Sequence, residues 1–132
     1  MGAATKRRRP AQKLAYRAAA DRSMGLCEIC GKRRVLDPHH AFGRGASAHI
    51  LGWAAEECVV KLCRDCHDDV TGRLGSGIDL DKQDRCRWIA YGWFVNSHSL
   101  NVAPTCLDPL TAMRSCLREC CEGLRPLVDE VQ

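Results

Sequence analysis

The stretch that decides the fold begins at Cys27-Glu28-Ile29-Cys30, passes through His39-His40 and ends at Leu62-Cys63-Arg64-Asp65-Cys66-His67. A Cys-x-x-Cys turn presents two sulfurs at the separation that tetrahedral Zn²⁺ needs, and two such turns complete a site. Four protein ligands leave no open position, so we expect a structural zinc ion held by Cys27, Cys30, Cys63 and Cys66. Four unrelated free cysteines are the alternative, and the matched spacing argues against it.

Three of the five histidines lie inside this frame or directly beside it. Neighbouring residues of a strand point to opposite faces, so His39 and His40 are expected to have different tasks, one facing a metal and the other facing water or phosphate. The position of His67 is fixed because it directly follows a zinc ligand. We interpret the three imidazoles as a second, open metal site, with structural or surface histidines as the alternative.

Length and charge limit the classes of protein to which this chain can belong. The 132 residues suffice for one domain with a modest core. Residues 1–34 carry ten Lys and Arg against two Asp and Glu, a balance of +8, whereas the whole chain carries +4. A basic arm on a near-neutral body indicates nucleic acid as partner, with a solubilising tail as the alternative.

The chain shows neither a secretory signal nor an apolar run of the ~20 residues needed to span a bilayer. We therefore expect no membrane association and a cytoplasmic location. In a reducing compartment, Cys-x-x-Cys pairs favour metal binding over disulfide formation.

The pattern predicts three regions: a basic arm and helix over residues 1–24, a metal-binding domain over 25–75, and a helical extension over 76–132. Pro10 suits a first helical turn, and Gly25 marks the end of that helix. Strands are predicted over 33–41, broken at Asp37-Pro38, and over 58–62, followed by a helix that carries His67.

Further helices are predicted over 81–94 and from Asp108-Pro109 onward. The apolar stripe of the last helix is either core or a docking face. Five more cysteines are interpreted as packing residues rather than as a second zinc site: Cys86, Cys106, Cys116, Cys120 and Cys121.

The order Cys27-x-x-Cys30, His39-His40, Leu62-Cys63-x-x-Cys66-His67 resembles the HNH endonuclease motif in its four-cysteine, zinc-bound form. The run His39-His40-Ala41-Phe42-Gly43-Arg44 is similar to HNH proteins of bacteriophages and prophages. The resemblance covers residues 27 to about 70. It implies an α+β protein in which a small zinc-stabilised ββα-metal (His-Me finger) nucleus is flanked by helices.

The resemblance also implies an activity, the divalent-metal-dependent hydrolysis of DNA. His39 and His67 would hold a catalytic Mg²⁺, Mn²⁺, Ni²⁺ or Zn²⁺ ion, and His40 would be the general base. The implied partner is duplex DNA with little sequence preference, together with phage replication or packaging proteins as further candidates. The implied location is the cytoplasm of a bacterial host.

One position departs from the family pattern. The motif places an asparagine five residues before Cys63, where this chain has Cys58. A thiol cannot make the amide hydrogen bonds that orient the base, which leaves Glu56, Glu57 or the backbone alone to hold this turn. The rival hypothesis is a non-catalytic, zinc-stabilised DNA-binding or phage assembly accessory protein.

Residues around the motif are assigned by charge and position. Asp37 is interpreted first as a turn residue and second as a metal ligand. Four basic side chains are predicted to contact backbone phosphates, without reading sequence: Arg44, Lys32, Arg33 and Arg34. For Arg44, an exposed loop arginine without such a contact is the alternative.

Overall fold

The structure is a computed structural model that describes residues 10–43, 45–73, 75, 77–100 and 108–119. In chain order, the elements of these residues are α1 (Pro10–Ser23), β1 (Leu36–His40), α2 (Ala46–Leu51), a 3₁₀ helix (Gly52–Glu57), β2 (Val59–Cys63), α3 (Arg64–Thr71), α4 (Leu80–Ser97) and α5 (Pro109–Glu119). Helices combined with a small antiparallel sheet confirm the predicted α+β class.

The two strands pair along their whole length, with His39 opposite Val60 and Pro38 opposite Lys61. Just beyond the strands, the Ala41 amide donates to the Cys58 carbonyl at 2.8 Å. Hydrogen-bonded pairs alternate along an antiparallel ladder, so Pro38 occupies a position that needs no donor toward β2. The predicted break at Asp37-Pro38 is therefore wrong, because the strand continues through both residues.

The first cysteine turn covers the other edge of β2. The Glu28 amide donates to the Lys61 carbonyl at 3.0 Å, and the Glu28 carboxylate accepts from the Lys61 amide at 2.8 Å. Arg22 of α1 donates to the same carboxylate and to the Val59 carbonyl, both at 2.9 Å. Glu28 thus joins α1, the cysteine turn and the sheet.

One large apolar cluster connects the sheet with α3, α4 and α5. Its largest buried side chains include Phe42, Leu62, Phe94 and Met113. Because Met113 is buried in this cluster, the apolar stripe of α5 is core packing within the described residues. In a smaller cluster, Ala15 and Ala19 of α1 pack on Val59.

Most of the predicted helices are confirmed. Pro10 begins α1, and α4 is longer than predicted at both ends, with the Asp79 side chain capping its start by accepting from the Lys82 amide at 3.1 Å. Cys86 and Cys116 are buried, as packing residues should be, whereas Cys106, Cys120 and Cys121 lie outside the described residues. None of the described helices is long and apolar enough to cross a membrane.

Candidate functional site

The four predicted zinc ligands form one cluster, in which the sulfurs of Cys27, Cys30, Cys63 and Cys66 all lie within 4.8 Å of one another. The Sγ atoms of Cys30 and Cys63 are 3.7 Å apart. Zn–S bonds of about 2.3 Å in a tetrahedron place sulfurs about 3.8 Å apart. The cluster therefore has the spacing to hold a structural metal ion such as zinc.

The two cysteine turns have different local backbone structures. The first is a tight hairpin in which the Cys27 amide donates to the Lys32 carbonyl and the Gly31 amide donates to the Cys27 carbonyl, each at 2.9 Å. Gly31 has a φ of +74°, a left-handed conformation that glycine adopts without strain. The second turn lies where β2 ends at Cys63 and α3 begins.

Within the cluster, Cys27 favours the thiolate even before a metal binds, whereas burial raises the pKa of Cys66. Burial by itself raises the pKa of the Cys27 thiol. Hydrogen bonds from the backbone amides of Cys30, Cys63 and Ile29 outweigh burial and lower that pKa to about 6. Since the thiolate is the form that binds metal, the fold prepares at least this ligand at neutral pH.

Helix α4 places two positively charged side chains, Lys82 and Arg85, next to the residues of the cysteine cluster. Lys82 Nζ lies 2.6 Å from an Asp69 carboxylate oxygen and 3.9 Å from the Cys66 sulfur. The hydrogen bond to Asp69 raises the pKa of Lys82, which stays protonated. Arg85 donates to the Ile29 carbonyl at 3.1 Å. These cations offset the negative charge that four thiolates bring to a zinc ion.

The three predicted histidines line one cleft. The ring centroids of His39, on β1, and His67, on α3, are 5.1 Å apart, in an edge-to-face arrangement. The cleft has a volume of about 340 Å³ and is lined by Pro38, His39, His40, Gly43, His67 and Thr71.

His39 is held neutral. Its side chain is buried, and among the described residues its Nε2 atom has no hydrogen-bond partner. Burial, followed by the nearby positive charges of His67, His40 and Arg87, lowers the pKa of His39 to about 4. A neutral imidazole with an unsatisfied nitrogen is the form that binds a cation.

The carboxylate of Asp37 lies next to the Nδ1 atom of His67. Its Nδ1 lies 3.4 Å from Asp37 Oδ2, and Arg64 Nη2 lies 3.3 Å from the same oxygen. A carboxylate at Nδ1 fixes the imidazole tautomer and leaves Nε2 as the donor atom for a ligand. The turn assignment of Asp37 is wrong, since Asp37 lies within β1, while its role as a metal ligand stays a prediction.

The donor set of the cleft suits a divalent ion with open positions. His39 and His67 offer nitrogen atoms, and Asp37 contacts the Nδ1 side of the His67 ring. Among the described residues, only the four cysteines bring three or more ligand atoms within 4.8 Å of one another. A cation held by the two imidazoles alone would keep positions for water and substrate.

His40 has a partner that the sequence did not indicate. The hydroxyl of Tyr16, on α1, lies 3.1 Å from His40 Nε2, and the two ring centroids are 5.9 Å apart. The residues are 24 positions apart in the chain, so no local pattern connects them.

Cys58, at the asparagine position of the motif, and its neighbour Glu57 have other hydrogen-bond partners. Cys58 is fully buried, and its Sγ donates to the Ala54 carbonyl at 3.3 Å. Glu57 is also buried, with its Oε1 2.7 Å from His98 Nε2, so it does not replace the asparagine. Glu56 lines a second cavity of about 480 Å³, which His40 and His49 also line.

The predicted phosphate contacts have different surroundings. Lys32 and Arg33 are exposed. Arg34 Nη1 lies 2.7 Å from Asp65 in an exposed ion pair. Arg44 lies outside the described residues. The sequence missed Arg87, whose Nε donates to the Ala41 carbonyl at 3.1 Å and so holds the turn after His40.

Comparisons of the chain with protein-family models, with curated proteins and with solved structures gave no match.

Proposed function

We propose that this protein is a divalent-metal-dependent HNH endonuclease that hydrolyses phosphodiester bonds of DNA. The observation that carries the proposal is the shared cleft: His39 and His67 have ring centroids 5.1 Å apart, and His40 lines the same space. In this proposal β1, β2 and α3 are the ββα-metal nucleus, and the four cysteines hold a structural zinc ion beside it.

Each histidine has a separate task in the proposed reaction. His39 and His67 would hold the divalent ion, which when bound supplies positive charge at the phosphate and at the leaving oxygen. Asp37 keeps the His67 ring oriented from behind. His40 takes a proton from water while the water oxygen attacks phosphorus. The bond from phosphorus to the 3′ oxygen breaks, and that oxygen gains a proton from solvent, which leaves a 5′ phosphate and a 3′ hydroxyl.

DNA is the proposed substrate because of the basic residues in the first part of the chain. Lys32 and Arg33 are exposed beside the first cysteine turn, and the sequence adds Lys6-Arg7-Arg8-Arg9 at its start. Lysine and arginine contacts to phosphates give affinity without reading bases, so we propose duplex DNA with little sequence preference.

Nicking of supercoiled plasmid tests the catalytic assignment. Zinc-loaded wild type should nick with Mg²⁺, Mn²⁺ or Ni²⁺, and His40→Ala should lower the rate by about 10²- to 10⁴-fold, since it removes the general base. His49→Ala is the matched control: it removes an exposed histidine that does not line the cleft of His39 and His67, and it should keep the wild-type rate. Equal rates for wild type and His40→Ala would show that His40 is not the base.

Metal content tests the division into two sites. Purified protein should contain about one tightly held zinc per chain and bind a second divalent ion more weakly. His39→Ala and His67→Ala should keep the zinc and lose the weaker site in calorimetric titration with Mn²⁺. Loss of both metals from either variant would contradict separate sites.

The burial of Cys58 favours one rival, a non-catalytic DNA-binding or phage assembly accessory protein. Its sulfur donates to the Ala54 carbonyl and makes no asparagine-like contact with the base. Plasmid binding by wild type without nicking in any of the three metals would favour this rival over the nuclease.

A further inference from the structure

The proposed base lacks the residue that orients it in the HNH motif. The asparagine position holds Cys58, a buried thiol that donates to Ala54. A histidine base needs one ring nitrogen held by a partner, because that partner decides which nitrogen carries the proton. In the described residues, His40 receives such a contact from α1, where the Tyr16 hydroxyl lies 3.1 Å from Nε2.

Helix α1 is held firmly enough to place this hydroxyl. Ala15 and Ala19, which flank Tyr16, are 2% and 0% exposed and pack on Val59 of β2. At the end of the helix, Arg22 donates to the Val59 carbonyl and to the buried Glu28 carboxylate. Both contacts attach α1 to the sheet whose other strand carries His40.

We propose that Tyr16 is the positioning residue for His40, with its hydroxyl oxygen accepting a hydrogen bond from the Nε2–H group. This inference rests on the proposed nuclease function. In this proposal, Nδ1 is the nitrogen that takes the proton from water. A hydroxyl oxygen suits both stages of the reaction, because Nε2 carries a hydrogen in this neutral tautomer and in the protonated ring.

The contact should act on turnover rather than on DNA binding. Hydrogen bonds from a charged donor are stronger than those from a neutral one, so the bond to Tyr16 strengthens as His40 gains its proton. An interaction that strengthens only as the reaction proceeds raises kcat and leaves KM nearly unchanged.

The test compares two variants, each of which lacks one tyrosine hydroxyl. Tyr16→Phe should lower kcat for plasmid nicking by about 10- to 100-fold, a range taken from residues that orient metal-binding histidines, and KM should stay within about twofold of wild type. Tyr91→Phe is the matched control, because Tyr91 is the other tyrosine of the chain, is buried on α4 and lines neither cavity. It should keep the wild-type kcat.

A spectroscopic measurement separates positioning from a general structural effect. Long-range ¹H–¹⁵N NMR of the zinc-loaded protein, assigned with His40→Ala, should show the Nε2–H tautomer for wild type and Tyr91→Phe. Tyr16→Phe should show a mixture of tautomers. A wild-type tautomer ratio in Tyr16→Phe would overturn the inference.

The kinetic outcomes distinguish this inference from the function on which it rests. If wild type and Tyr16→Phe nick with equal kcat, the positioning role is overturned and the nuclease stands. If wild type nicks with none of the three metals, the nuclease proposal fails and the positioning role fails with it. A selective loss of kcat together with the mixed tautomer would establish Tyr16 in this role.

Discussion

Burial holds His39 neutral, and the same effect keeps the Cys86 thiol protonated. Burial lowers the pKa of His39 to about 4 and raises the pKa of Cys86 to about 12. Cys27 is buried too, yet backbone amides lower its pKa to about 6. Burial therefore leaves Cys86 a protonated thiol, whereas the backbone amides around Cys27 favour its thiolate.

The low pKa of His39 predicts a loss of stability in acid. The unfolded chain binds a proton at His39 near pH 6.5 and the folded chain only near pH 4, so the free energy of unfolding should fall as pH is lowered through this window. The loss attributable to His39 is at most about 3 kcal/mol. It should be measured by urea unfolding of wild type and His39→Gln across this range.

The comparison with His39→Gln isolates this effect, because release of zinc in acid affects both proteins. Wild type should lose more stability than the variant between pH 6.5 and 4. Parallel curves for the two proteins would contradict the assignment of a buried, neutral His39.

At the scale of elements, two arginine ion pairs differ in what they connect. Arg22 joins α1 to Glu28, whose side chain is 7% exposed and which also binds the Lys61 amide of β2. Arg34 pairs with Asp65 at the surface, where the side chains are 44% and 75% exposed. Only the first pair holds elements together from within the structure.

Replacing Arg22 or Arg34 by alanine should therefore lower the free energy of unfolding by different amounts. Arg22→Ala leaves the buried Glu28 carboxylate without its cation and should lower the free energy of unfolding by about 3–5 kcal/mol. Arg34→Ala, the matched control, should lower it by no more than about 1 kcal/mol. Chemical denaturation of zinc-loaded protein measures both values, and similar effects would show that Glu28 does not join these elements.

At the scale of the whole molecule, the cysteine cluster lies where the first hairpin, β2, α3 and α4 meet. Cys63 and Cys66 belong to the main core, and α4 contributes both the cations above the cluster and the buried Cys86. A small domain has limited apolar surface to bury, so a metal ion bound at this junction would contribute directly to folding.

Substitution of two buried cysteines tests whether the metal holds this junction. Cys63→Ser should lose the zinc ion and the cooperative thermal transition, since one ligand of four is gone. Cys86→Ala removes a sulfur from the same core and should keep both the metal and a cooperative transition at lower Tm. Atomic absorption and calorimetry measure the two properties. A cooperative unfolding transition of Cys63→Ser at the Tm of wild type would contradict a structural role for the metal.

Sequence alone determined the features that depend on local spacing. The Cys-x-x-Cys turns, Pro10 at the start of α1 and the position of His67 after a ligand follow from backbone geometry over a few residues. The α+β class and the packing role of Cys86 could also be predicted, because apolar periodicity and buried thiols are local signals.

Tertiary structure alone decided which side chains meet. Tyr16 reaches His40 over 24 positions, Asp37 reaches His67 over 30, and Glu57 reaches His98 over 41. Strand pairing also carried β1 through Pro38, where a local pattern predicted a break. These contacts depend on how helices pack against the sheet, and a linear pattern does not encode the orientation of one packed element toward another.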